Sequence, residues 1–125
     1  MAKILVVDDE RSMCLVIGAH LEQAGHVVTT CMDGALAIRS ILAEKPDLVL
    51  LDLNMPYIDG FDMLKALKGD PLTQAVPVIV VSSLTDVESL GRVVRLGASD
   101  YVYKPIRGEK LVESVERVLQ KHAAR

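Results

Sequence analysis

Cysteine and histidine are sparse in this sequence, a basic excess is missing, and so is any long apolar run. Of its 125 residues only two are cysteines, Cys14 and Cys31. They lack the spacing of a metal or redox pair, and isolated cysteines in a cytosolic chain read as plain buried thiols. His20, His26 and His122 lie far apart, which argues against a histidine metal site. Fourteen basic residues face 17 acidic ones, for a net charge of −3. That leaves no basic footprint for direct nucleic-acid binding. No apolar run approaches membrane-spanning length, so no membrane partner is expected. The amino terminus enters a strand-like run at once, without a signal-peptide pattern, and a cytoplasmic protein is expected. Linkers, repeats and low-complexity segments are also missing.

What is present is a soluble, globular composition, half hydrophobic and a quarter charged. The length suits one domain spanning residues 1–125 with one real core. Strand-like and helix-like stretches alternate five times. The strands are expected at Lys3 to Val7, Val27 to Thr30, Leu48 to Leu51, Val78 to Val81 and Asp100 to Tyr103. The first, third and fourth are continuously aliphatic, as parallel strands covered on both faces should be. The second and fifth are shorter or more polar, which suits sheet edges. Met13, Val16, Ile17, Leu21 and Ala24 follow helical spacing, as do Leu111, Val112, Val115, Val118 and Leu119. Gly25 ends the first helix, Pro46 blocks another, and Gly69 and Gly97 read as left-handed caps of two more. Thr85 with Glu88 reads as a capping box opening the fourth helix. Gly91 inside that helix costs about 1 kcal/mol relative to Ala, which suits either a segment of marginal stability or a tolerated substitution without a role. This alternation predicts an α/β fold, an open, doubly wound parallel sheet.

The strand ends carry the chemistry. The first apolar run ends in Asp8-Asp9, the third in Asp52, the fourth in Ser82, and the fifth strand is followed by Lys104-Pro105. In a parallel sheet these carboxyl ends share one edge, where open α/β folds build their sites. Crowded carboxylates repel and raise one another's pKa values, and a bound hard cation relieves this. Mg²⁺ favours oxygen ligands and is often held by one or two carboxylates plus a phosphate. The carbonyl of Asn54 is a further oxygen within reach. A plainer alternative has Asp8 and Asp9 capping the first helix, but it leaves Asp52 and Lys104 unexplained. Pro105 favours a turn able to aim the Lys104 ammonium back at the carboxylates.

These motifs together (Val7-Asp8-Asp9-Glu10, Leu51-Asp52-Leu53-Asn54-Met55-Pro56 with Asp59-Gly60, Pro77 through Ser82, and Gly97 through Pro105) mark a resemblance covering nearly the whole chain. It resembles the receiver domains of the bacterial two-component response regulator family, of the chemotaxis-regulator type. The resemblance implies a five-stranded flavodoxin-like (βα)5 fold with strand order 2-1-3-4-5. It implies that Asp52 takes a phosphoryl group from a phosphohistidine on a sensor histidine kinase or phosphotransfer protein, then slowly loses it to water. Asp9, Asp52 and the Asn54 carbonyl would hold Mg²⁺, with Asp8 acting mainly through water. Lys104 would move from Asp52 to a phosphoryl oxygen, and Ser82 would bond another. Asn54 and Leu84 would tune the rate of loss.

Tyr101 would be the aromatic switch, filling space that Ser82 vacates. Leu90, Val94, Tyr101 and Pro105, with the last helix, would form an output face for an active homodimer or a docked effector. Tyr103 departs from the small or aliphatic residue usual before the Lys-Pro pair, and either adds aromatic surface or crowds Lys104. The domain catalyses only its own phosphorylation and dephosphorylation on this reading. A phosphate-independent interaction module is the main alternative. An aspartyl-nucleophile phosphatase would want a second Asp where Asn54 stands, and flavin binding would want a Ser/Thr/Gly-rich loop where Asp8-Asp9-Glu10 stands.

Overall fold

The computed structural model describes residues 1–123, so the last two residues of the expected domain, 124 and 125, lie outside the described residues. Five strands and five helices alternate: β1 (Lys3–Val7), α1 (Arg11–Gln23), β2 (Val27–Cys31), α2 (Ala37–Glu44), β3 (Leu48–Asp52), α3 (Gly60–Gly69), β4 (Val78–Ser82), α4 (Val87–Arg95), β5 (Asp100–Tyr103) and α5 (Gly108–Ala123). A short 3-10 turn, Gly34–Leu36, precedes α2. Every strand pairing is parallel and the order is β2-β1-β3-β4-β5. The continuously aliphatic strands are indeed central and the more polar β2 and β5 lie at the edges.

Successive residues of a strand point to opposite faces, and this splits the core in two. Ile4, Val6, Leu48, Leu50, Ile79 and Val81 pack against Ile17 and Leu21 of α1 and Leu111, Val115 and Val118 of α5. Leu5, Val7, Val49, Leu51, Val78 and Val80 pack against Ile41 of α2, Leu64 and Leu67 of α3, and Val93 of α4. Each fully buried Leu or Ile contributes about 2 kcal/mol of transfer free energy. Both faces of the three central strands are thereby sealed, while β2 and β5 stay partly exposed. Among the described residues no helix is long and apolar enough to cross a membrane.

Four local expectations need correction. Asp86, not Thr85, caps α4: its carboxylate accepts from the Ser89 amide at 2.9 Å. Glu88 then sits one position early for a capping box, although its charge still suits the first turn. Gly69 is the last residue of α3 and lacks the positive φ that Gly25 and Gly97 adopt. Val16 is 45% exposed, and Cys14 and Gly18 occupy the buried face of α1 in its stead. Finally, β2, β3 and β4 each run one residue further than expected, so that Asp52 and Ser82 close their strands. Pro46 does follow the end of α2, after Lys45 turns through φ 50°.

Candidate functional site

Strand register brings the polar residues together. Val7 lies beside Leu51, Asp52 beside Val81, and Ser82 beside Tyr103. Asp8, Asp52, Ser82 and Lys104 therefore line one edge of the sheet. One carboxylate oxygen from each of Asp8, Asp9 and Asp52 lies within 4.8 Å of the others. Asp8 and Asp52 are 1% and 2% exposed, whereas Asp9 faces solvent.

Backbone geometry fixes the two buried carboxylates. Asp8 Oδ1 accepts from the Glu10 amide at 2.9 Å, so it braces the turn into α1 rather than capping the helix itself. Its carbonyl receives the buried Cys14 thiol at 3.4 Å. Asp52 Oδ1 accepts from the Asn54 amide at 3.0 Å and from Lys104 Nζ at 3.1 Å. The peptide between Lys104 and Pro105 is cis, and the lysine side chain is 14% exposed. The turn does aim the ammonium at the carboxylates.

The remaining oxygens, Asp8 Oδ2 and Asp52 Oδ2, are buried without any hydrogen-bond partner. Buried acceptors of this kind are costly. Burial pushes the Asp8 carboxyl up to about 6, with the nearby Asp52 charge adding to it and the Glu10 amide opposing it. Burial and the three carboxylates push the Cys14 thiol up to about 11, so it stays protonated and offers no soft ligand. Two orphaned oxygens and an exposed carboxylate converging within a few ångströms make a hard, all-oxygen donor set. That set fits Mg²⁺.

Ser82 is fully buried, and its hydroxyl accepts from the Leu84 amide at 3.1 Å. Tyr101 donates its hydroxyl to the Leu84 carbonyl at 2.6 Å and packs its ring against the α2–α3–α4 core. Burial raises its phenol above the ordinary range. Tyr103 stands beside it with ring centroids 5.0 Å apart and 47% exposure. It adds aromatic surface and leaves the Lys104–Asp52 pair formed. Leu90 is half-buried, Val94 is 71% exposed and Pro105 is exposed, and none of the three contributes an oxygen to the carboxylate cluster.

Two contributors escape a reading of motifs alone. Asn54 Nδ2 reaches Ser83 Oγ at 3.3 Å, between loops 29 residues apart. Gly60 packs so closely that a Cβ there would stand 2.4 Å from Leu53 Cα. Its place after Asp59 was visible, but the close approach behind it has no signature in spacing.

Comparison with known proteins identifies the family and the fold. The family model for the response regulator receiver domain matches residues 4–116. PilH of Pseudomonas aeruginosa is 37% identical over 119 residues, covering 95% of this chain and 98% of PilH. The chemotaxis protein CheY4 of Vibrio cholerae superimposes with a TM-score of 0.87 at 30% identity, covering 94% of this chain and 98% of that one. A receiver domain protein of Methanospirillum hungatei shares the fold at a TM-score of 0.90 and 23% identity. Other curated relatives are longer, and the chain spans 18% and 46% of two of them. With its strand order, its acidic edge and these relatives all in agreement, the chain belongs to the response regulator receiver domains of two-component systems, signalling domains rather than classical enzymes.

Proposed function

We propose that Asp52 is the phosphoacceptor of this receiver, taking its phosphoryl group from a phosphohistidine on a histidine kinase or phosphotransfer protein. The observation that carries the proposal is the state of the Asp52 carboxylate. One oxygen is held by Lys104 and the Asn54 amide, while the other is buried, unpartnered and close to Asp8 and Asp9. Asp8, Asp9, Asp52 and the Asn54 backbone carbonyl would hold Mg²⁺. When bound, the ion supplies positive charge that offsets carboxylate repulsion and the charge of incoming phosphoryl oxygens.

An Asp52 oxygen bonds phosphorus as the phosphorus–nitrogen bond breaks, and that electron pair returns to the donor imidazole. Phosphoryl transfer depends on in-line placement and neutralised equatorial oxygens more than on covalent machinery. Lys104 transfers its ammonium from the carboxylate to a phosphoryl oxygen. Ser82 releases the Leu84 amide and donates to another. Tyr101 then loses its fixed partner at Leu84, and the change reaches the face built by Leu90, Val94, Tyr101, Pro105 and α5. A homodimer or an effector reads that face. Residues 1–125 act as one such unit in the cytoplasm, and the acyl phosphate is later hydrolysed.

Intact mass after incubation with Mg²⁺ and a small-molecule acyl phosphate tests the proposal. A gain of one phosphoryl group in the parent and none in Asp52→Asn is expected. No gain in the parent, with Mg²⁺ binding verified, would point to a phosphate-independent interaction module and overturn it.

A further inference from the structure

We infer that Ser83 is a positioning residue that lengthens the life of the phosphoryl group on Asp52 by holding the Asn54 carboxamide across the mouth of the acceptor. The inference rests on the acceptor reading above. Asp52 closes a strand at the open edge of the sheet, yet its side chain is 1% exposed. Asn54 and Ser83 are both exposed and so lie on the solvent side of the site. The backbone amide of Asn54 donates to Asp52 Oδ1 at 3.0 Å, and its side-chain Nδ2 donates to Ser83 Oγ at 3.3 Å. One residue thereby ties the acceptor to the loop after β4 and joins the two loops flanking it. The adjacent serines divide the labour: the Ser82 hydroxyl is buried on the Leu84 amide, and the Ser83 hydroxyl faces outward to Asn54.

Hydrolysis needs water in line with the bond that breaks. The water oxygen bonds phosphorus while the bond from phosphorus to the Asp52 oxygen breaks with its electron pair. The carboxylate is regenerated, inorganic phosphate leaves, and the water proton passes to solvent. On this inference the water approaches from the solvent side, where Asn54 and Ser83 are exposed beside the buried Asp52. A carboxamide held there obstructs that line, and a released one does not.

The test is the half-life of phosphorylated protein, followed by intact mass after removal of the acyl phosphate, in excess Mg²⁺. Ser83→Ala is expected to shorten it roughly threefold, the scale of one modest hydrogen bond. Ser83→Thr keeps the hydroxyl and should retain the parent half-life. Asn54→Ala should match Ser83→Ala, and the double variant should be no faster than either single one. Mg²⁺ affinity of Ser83→Ala should equal that of the parent, which separates this role from general loosening of the site. An unchanged or longer half-life in Ser83→Ala, or additive effects in the double variant, would overturn the bridge while leaving the acceptor intact. Failure of the parent to take phosphate would instead remove the acceptor reading, and this inference with it.

Discussion

Ser82 and Tyr101 grip opposite ends of the same residue: the Ser82 hydroxyl accepts the Leu84 amide at 3.1 Å and the Tyr101 hydroxyl donates to the Leu84 carbonyl at 2.6 Å. The start of the β4–α4 loop is therefore pinned from β4 and β5 at once. Whatever draws Ser82 toward the carboxylates also loosens one of the two pins. Tyr101→Phe keeps the ring and removes only the second. It should cost about 1 kcal/mol, the usual net worth of one hydrogen bond. Hydrogen exchange around Leu84 should speed up even without phosphate. Unchanged exchange would mean that the loop is held by other contacts and that Tyr101 is mere packing.

Asp8 gives the site a pH signature. Its carboxyl titrates at about 6 in the fold, against 3.8 ordinarily, because burial disfavours the charge. Between those values the folded state keeps a proton that the unfolded state has released. The contribution of Asp8 to stability is thus fully present below about pH 4 and lost as pH rises through about 6. Asp86 and Asp100 have lowered pKa values and slope the other way, so the useful quantity is a difference between variants. In EDTA, Asp8→Asn should be more stable than the parent by about 1–2 kcal/mol above pH 7. The advantage should shrink as pH falls toward about 4, and Mg²⁺ should narrow it at neutral pH by stabilising the parent. Urea unfolding at both pH values measures it, and a gap independent of pH would count against repulsive burial at Asp8.

The central strands and the site edge were readable from sequence because both rest on strong physical rules. Strands covered on two faces must be continuously aliphatic, which marked the strands at Lys3 to Val7, Leu48 to Leu51 and Val78 to Val81. Parallel pairing then brings their carboxyl ends together, and with them Asp8, Asp52, Ser82 and Lys104. Helix ends were less legible. Thr85 and Asp86 are neighbouring cap residues, and only the path of the backbone decides whose oxygen reaches Ser89. Gly69 stays helical, and the end of α3 is tied down further on, where the buried Thr73 hydroxyl donates to the Leu67 carbonyl at 2.7 Å. The Asn54–Ser83 bridge joins two exposed side chains from distant segments, so neither periodicity nor spacing announces it.

Gly60 is a steric requirement of the loop that carries Asn54. A Cβ there would meet Leu53 Cα at 2.4 Å and Leu53 carbonyl oxygen at 2.7 Å, both backbone atoms. Backbone has no rotamer to give, so Gly60→Ala must move α3 away from the end of β3. Overpacking of this kind typically costs about 1–3 kcal/mol. If the Asn54 carbonyl is a Mg²⁺ ligand as proposed, the displaced loop should also weaken Mg²⁺ binding. Equilibrium unfolding and Mg²⁺ titration read the two effects, and a variant matching the parent in both would show that the loop has slack.

The helix α4 buries little of its surface. Val93 is its one buried residue, while Val87 and Val94 are 84% and 71% exposed. A further contact comes from Arg92, whose guanidinium sits 4.2 Å from the centre of the Phe61 ring on α3. An exposed contact of this type is worth about 0.5–1 kcal/mol, which matters for a helix with so little burial. Phe61→Leu keeps apolar bulk but removes the aromatic face, and Arg92→Gln removes the charge. Each should speed hydrogen exchange in α4 by several-fold and leave β1 and β3 unaffected, since the central strands open only with the whole fold. Because both changes break one contact, the double variant should exchange no faster than the more affected single one. If the effects instead add, Arg92 and Phe61 act separately, and the grip on α4 must come from Val93 and the pinned loop before it.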